Sequence, residues 1–179
     1  MMTTPDAPLD ALLDAWLADP SPETRQPLAA AARAAGAEDD RGVRREAARL
    51  LRDGDPAEAL RVLESALPGA VLSPSLHAGI ATALRALERP AEAERHERAA
   101  RAAVEAVLAS GDGTAEKPWS VLRVADEHDV LRALGRRPEG QSLVERGGRT
   151  LDRLVTTDGG EAWFRVAVAP APARARTRG

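Results

Sequence analysis

Apolar residues recur at helical spacing through most of the first 110 positions. In LDALLDAWLA, Leu9, Leu12, Leu13, Trp16 and Leu17 share one stripe, which predicts an amphipathic helix over 9–18. Asp19-Pro20 ends it, because the residue before a proline avoids the helical region. Ser21 and Pro22 read as the N-cap and first residue of a segment closing at Gly36, with Pro27 arguing against one unbroken helix. RGVRREAARLLR, 41–52, sets Val43, Ala47, Leu50 and Leu51 on one side. Gly54-Asp55 breaks the pattern, and PAEALRVLESAL follows with proline first. Residues 68–74 read as a loop. SPSLHAGIATALRAL and PAEAERHERAARAAVEAVLAS, 90–110, read as two more helices.

After Ser110 the period changes. SGDGT is a break, and WSVLRVA, 119–125, is rich in strand formers. DEHDVLRALG, 126–135, predicts a short helix closed by Gly135. QSLVER and RTLDRLVTT flank Gly147-Gly148 as a hairpin, and Asp158-Gly159-Gly160 turns into EAWFRVAV. Residues 169–179 carry no core-forming pattern and predict a disordered basic tail. The expected fold class is therefore α+β. N-terminal helical hairpins come first, and residues 110–168 form a small unit of strand, helix and three-stranded meander.

The helical region repeats itself. Shifted by 34, Pro56-Ala57-Glu58-Ala59 meets Pro90-Ala91-Glu92-Ala93, Leu50 meets Leu84, and Arg61 meets Arg95. Ala47, Ala59 and Ala66 correspond to Ala81, Ala93 and Ala100. In period and small-residue positions, residues 41–109 resemble two tetratricopeptide repeats, although the early tryptophan of that family is replaced and its other aromatics are missing. A second shift aligns Trp16 with Leu50 and Pro22 with Pro56, so residues 1–40 read as an N-terminal helical pair or as a degenerate first copy.

The resemblance implies a short helical solenoid with a concave, protein-binding groove. Its walls would collect Arg41, Arg44, Leu51 and Arg52 from one unit and Thr82 and Arg85 from the next. Guanidinium groups so placed would hold an acidic peptide, a C-terminal carboxylate or a phosphate by bidentate hydrogen bonds. The competing reading pairs them with Glu46 or Asp53 on a solvated helix. The chain contains no Asn, which removes the carboxylate-clamp chemistry of some members of the repeat family.

The later region resembles an uncharacterised bacterial domain of unknown function, over about 55 residues. The resemblance rests on Ser110 to Thr114, Asp126, Glu127, Leu134, Gly135, Gln141 to Val144 and Asp152. It departs at His128, where an aromatic is expected, and in lacking Tyr. It implies no activity.

Composition narrows the chemistry. The chain of 179 residues has no Cys, which excludes disulfides, thiolate metal sites and a Cys nucleophile. Net charge is −3, residues 1–40 hold eight acids against two bases, and aromatics are 2% of the chain. That balance weighs against nucleic-acid binding. No long apolar run or basic leader is visible, so neither membrane nor signal peptide is expected, and a cytoplasmic location is. His96 lies four residues after Glu92, a half metal site, but a solvated helix face is the plainer expectation, and no cofactor or metal is expected. Acids 126 and 127 beside His128 read as helix-capping residues. Asp112 to Glu116 lacks the later ligands of a calcium loop, and Ser142 lacks the second glycine of a nucleophile elbow. The expected function is a non-enzymatic interaction module binding a protein or peptide, acidic in character, as adaptor, chaperone or accessory subunit. The alternative is a small hydrolytic or ligand-binding enzyme in the C-terminal unit, using Asp126, His128, Ser142 or Asp152.

Overall fold

The computed structural model describes residues 8–36 and 40–166. Six helices come first: α1 (Leu9–Ala18), α2 (Pro22–Ala34), α3 (Arg41–Arg52), α4 (Pro56–Ala70), α5 (Pro74–Ala86) and α6 (Pro90–Leu108). Then follow β1 (Trp119–Val121), α7 (Val124–Ala133), β2 (Pro138–Arg146), β3 (Arg149–Thr156) and β4 (Glu161–Val166). The fold is α+β, with a helical N-terminal region and a four-stranded mixed sheet.

Capping starts three helices where the sequence places polar residues before proline. Ser21, Asp55 and Ser73 accept from the backbone N–H groups of Thr24, Glu58 and Leu76, and each helix has proline in its first turn. The expected break at Pro27 does not occur. Burial of Leu28, Ala29 and Ala32 on the next turn holds α2 together across the lost N–H. The expected loop 68–74 is also shorter, because α4 runs through Pro68 to Ala70, whose side chain is buried with Val71 and Leu72.

α3–α4 and α5–α6 are two helix pairs turned the same way. Asp55 N–H donates to Leu50 C=O at 2.9 Å, and Arg89 N–H donates to Leu84 C=O at the same distance. The residue before each, Gly54 or Glu88, takes a left-handed conformation, with φ of 81° and 58°. Positions 54 and 88 differ by the same 34 residues as the sequence echo. Glycine fits that turn without strain; glutamate costs about 1 kcal/mol there. Ala47, Ala59, Ala81 and Ala93 are all buried in the core between the pairs, with Leu50, Leu63, Leu76, Ile80 and Leu84. Small side chains let the backbones approach, and the leucines fill the space that remains.

α1 and α2 pack on each other; α2 also packs on α4, and α1 on α6. Leu13, Trp16, Leu28 and Ala32 form a second core with Val71, Leu72, Ala99 and Ala103. Arg95 of α6 holds this arrangement from outside, donating to Asp14 at 2.7 Å and Asp10 at 3.1 Å.

The sheet order is β1-β4-β3-β2, with β1 parallel to β4 and the other pairs antiparallel. The meander is as the pattern predicts. The first strand is shorter than 119–125, because α7 begins already at Val124. Val130 and Leu131 of α7 pack with Trp119, Leu154, Ala162 and Phe164 on one face of the sheet, and Val107 at the end of α6 joins that core. Gly113 passes so close to Trp119 that a Cβ there would lie 2.6 Å from its ring. The tail 169–179 lies outside the described residues. Among them, no helix is long and apolar enough to cross a membrane.

Candidate functional site

The first two turns of α7 carry three acids, Asp126, Glu127 and Asp129, and all three are buried. They share the inward face because each lies three or four residues before an apolar anchor or its neighbour: Asp126 and Glu127 are i−4 to Val130 and Leu131. A buried carboxylate requires a partner, and each has one.

Asp126 is held by Arg123, whose Nη2 donates at 2.6 Å and whose backbone N–H donates at 3.2 Å. Burial pushes the Asp126 carboxyl above its ordinary value, and the Arg123 charge pulls the other way. The same guanidinium lies 3.4 Å from Asp40, just ahead of α3. Asp40 also accepts from Ser73 Oγ at 3.0 Å and from Arg44 Nε at 3.2 Å. Asp129 accepts from the backbone N–H of Ser75 at 3.2 Å, from its hydroxyl, and from Arg132 at 2.8 Å. α7 is thereby fastened by charge to the N-terminal ends of α3 and α5.

Glu127 is different. It is fully buried, and its Oε1 has no hydrogen-bond partner among the described residues. Burial, with the Asp152 carboxyl beside it, pushes its pKa up to about 9. Gln141 of β2 closes the pair, its Nε2 donating to Asp152 at 2.9 Å and to Glu127 at 3.3 Å. Glu127 is therefore protonated in the native protein at neutral pH and ionised in the unfolded chain. Its contribution to stability is full below about pH 4.5 and is lost as pH rises towards 9. Glu127→Gln copies the protonated form. It is expected to leave stability unchanged at pH 5 and to raise it by at least about 1 kcal/mol at pH 8.5. Urea unfolding at the two pH values checks this; equal effects at both would mean that Glu127 is ionised in the native state.

Above Gln141 opens a cavity of about 630 Å³. Arg41, Arg44, Arg45 and Ala48 of α3 form one wall; Val124, His128, Asp129 and Arg132 of α7 form the other. Of the four arginines on these walls, Arg44 is paired with Asp40 and Arg132 with Asp129. Arg45 is exposed and has no ionic partner among the described residues. The cavity thus presents positive charge on a partly apolar floor.

The six residues expected to line a groove do not meet in one place. Arg41 and Arg44 lie in this cavity. Leu51 packs against the core between the helix pairs. Arg52 is exposed at the far end of α3. Thr82 is exposed and bonds back to Ala78 C=O, and Arg85 is bidentate to Glu97 on α6. Arg45 and Arg132 take their place. Arg132 was legible only once α7 was known to face α3, a long-range contact that leaves no local pattern. Arg49, not Arg44, makes the expected pairs with Glu46 and Asp53.

The expectation of a solvated His96 is corrected. Its ring is buried against His77, Nδ1 to Nδ1 at 2.8 Å, and His77 Nε2 lies 2.8 Å from Val71 C=O. Among the described residues no group of three His, Cys, Asp or Glu is placed to hold a metal ion. Asp126 does cap the Arg123 backbone, as expected of an acid at a helix start, but Glu127 does not serve that purpose. No protein-family model, curated protein or solved structure matches the chain.

Proposed function

We propose that the protein is a non-enzymatic interaction module, an adaptor or accessory subunit, whose α3–α7 cavity takes an acidic segment of a partner protein. One observation carries this reading: Arg41, Arg44, Arg45 and Arg132 converge on a single open cavity in a chain of net negative charge. Carboxylates entering there would gain charge-assisted, forked hydrogen bonds, and the floor of Ala48 and Val124 suits an aliphatic side chain between them. The two helix pairs support it as a rigid wall, because their cores fix α3 against α5.

A fluorescein-labelled glutamate-rich peptide is the probe. Its anisotropy is expected to rise with the protein and to fall back with added salt. Arg41→Glu with Arg45→Glu is expected to weaken binding by at least about tenfold, while Arg149→Glu on the β2–β3 turn changes it little. Equal affinity for the wild type and the double variant would overturn the reading.

A second reading, a small hydrolytic enzyme in the C-terminal unit, draws on the Glu127–Asp152 pair. Glu127 is closed from solvent and the Gln141 amide stands between the pair and the cavity, so the interaction reading carries further.

A further inference from the structure

A second cavity, of about 500 Å³, lies on the other side of the helical region, between α2 and the end of α6. Arg25 and Arg33 of α2 reach into it, against a wall that includes Pro20, Ala29 and Ala106. The two arginines are two turns apart on the same helix, and both line the cavity. Their charges repel each other.

Neither guanidinium has an acid within ion-pair distance among the described residues. Arg25 is half-buried, and its Nε is enclosed with no hydrogen-bond partner. Burial lowers its pKa, and Asp126 offsets this only through space. Several other arginines of the chain are closely neutralised: Arg49 by Glu46, Arg61 by Glu58, Arg89 by Glu92 and Arg123 by Asp126. Two cations without an acid on one cavity wall are costly to hold together, and an anion between them would offset that repulsion. A carboxylate brings one charge. A phosphate brings close to two, with three acceptor oxygens, and matches two guanidinium groups.

We infer that the α2–α6 cavity binds a small molecule carrying a phosphate group, gripped by Arg25 and Arg33, with an apolar body against Pro20, Ala29 and Ala106. The site is distinct from the α3–α7 cavity and stands without it.

Thermal unfolding of the full chain with phenyl phosphate tests it, with phenol and with benzoate as comparisons. Phenyl phosphate is expected to raise Tm saturably, benzoate less, and phenol not at all. Arg33→Gln, an exposed substitution that leaves the core untouched, is expected to remove most of the shift. Arg25→Gln is expected to remove the shift and to raise the Tm of the ligand-free protein, since it deletes an unpaired cation. Arg45→Glu should leave the phenyl phosphate response intact. No saturable shift, an equal shift from benzoate or phenol, a shift that survives Arg33→Gln, or one abolished instead by Arg45→Glu would each overturn the inference.

Discussion

Replacing Arg123 by alanine is expected to destabilise the protein by about 3–5 kcal/mol, the range for stripping one partner from a buried ion pair. The residue stands between two carboxylates. Asp40 belongs to the helical region and Asp126 to α7, and their side chains are 1% and 5% exposed. Without the guanidinium, both stay in the interior. Asp40 retains Ser73 and Arg44, so the larger share of the loss falls on Asp126. Arg123→Lys is expected to recover only part, because a single ammonium group cannot reproduce a fork that meets Asp126 through Nε and Nη2 while Nη1 faces Asp40. Urea unfolding checks both, read at constant m so that the change in midpoint is a change in stability. A loss under about 1 kcal/mol for Arg123→Ala would show that water reaches the pair, contrary to its burial.

Acid is expected to unfold the protein well before its surface carboxylates are neutral. Burial holds both His77 and His96 down to about 4. His77 donates through Nε2 to Val71 C=O, so its Nδ1 is an acceptor and His96 Nδ1 supplies the proton between the rings. A proton added to His77 takes away that acceptor, and protonating both rings sets two cations face to face. The unfolded chain binds these protons near pH 6.5, and the native pair does not. Stability is therefore fully present above about pH 6.5 and falls as pH drops towards 4, by roughly 3 kcal/mol from His77 alone. Glu127 tilts the opposite way, losing stability as pH rises from about 4.5 towards 9. Two histidines outweigh one glutamate in the acid range, so the maximum should fall near pH 6.5. A midpoint that is flat between pH 7 and pH 4.5 would contradict the neutral, buried pair.

Periodicity made the elements legible. Proline-first helices and the 34-residue echo located α3 to α6, because these depend on spacing within one turn or one repeat. Two features were not legible. Pro27 and Pro68 look like breaks, yet burial of the residues after them decides otherwise. His96 on its helix looks like any exposed polar residue, and only His77, nineteen positions earlier, turns it inward. The candidate site was half visible. Arg41 and Arg44 stand out as a basic cluster, and Asp126, Glu127, Gln141 and Asp152 stand out as a shared pattern. That Arg41, Arg44 and Gln141 line one cavity depends on Ser73 meeting Asp40 and Ser75 meeting Asp129 of α7, contacts of 33 and 54 residues in sequence made by two unremarkable serines.

The place of α1 has a consequence for how the chain is made. Its acids Asp10 and Asp14 find Arg95, 85 and 81 residues later, and Trp16 is enclosed by Ala99 and Ala103 of the same distant helix. During synthesis α1 therefore waits, with Trp16 covered on one side by α2 alone, until Arg95, 81 residues after Asp14, has followed it. Closing so long a loop slows assembly. During that interval a chaperone, rather than the protein itself, is the natural keeper of the exposed stripe.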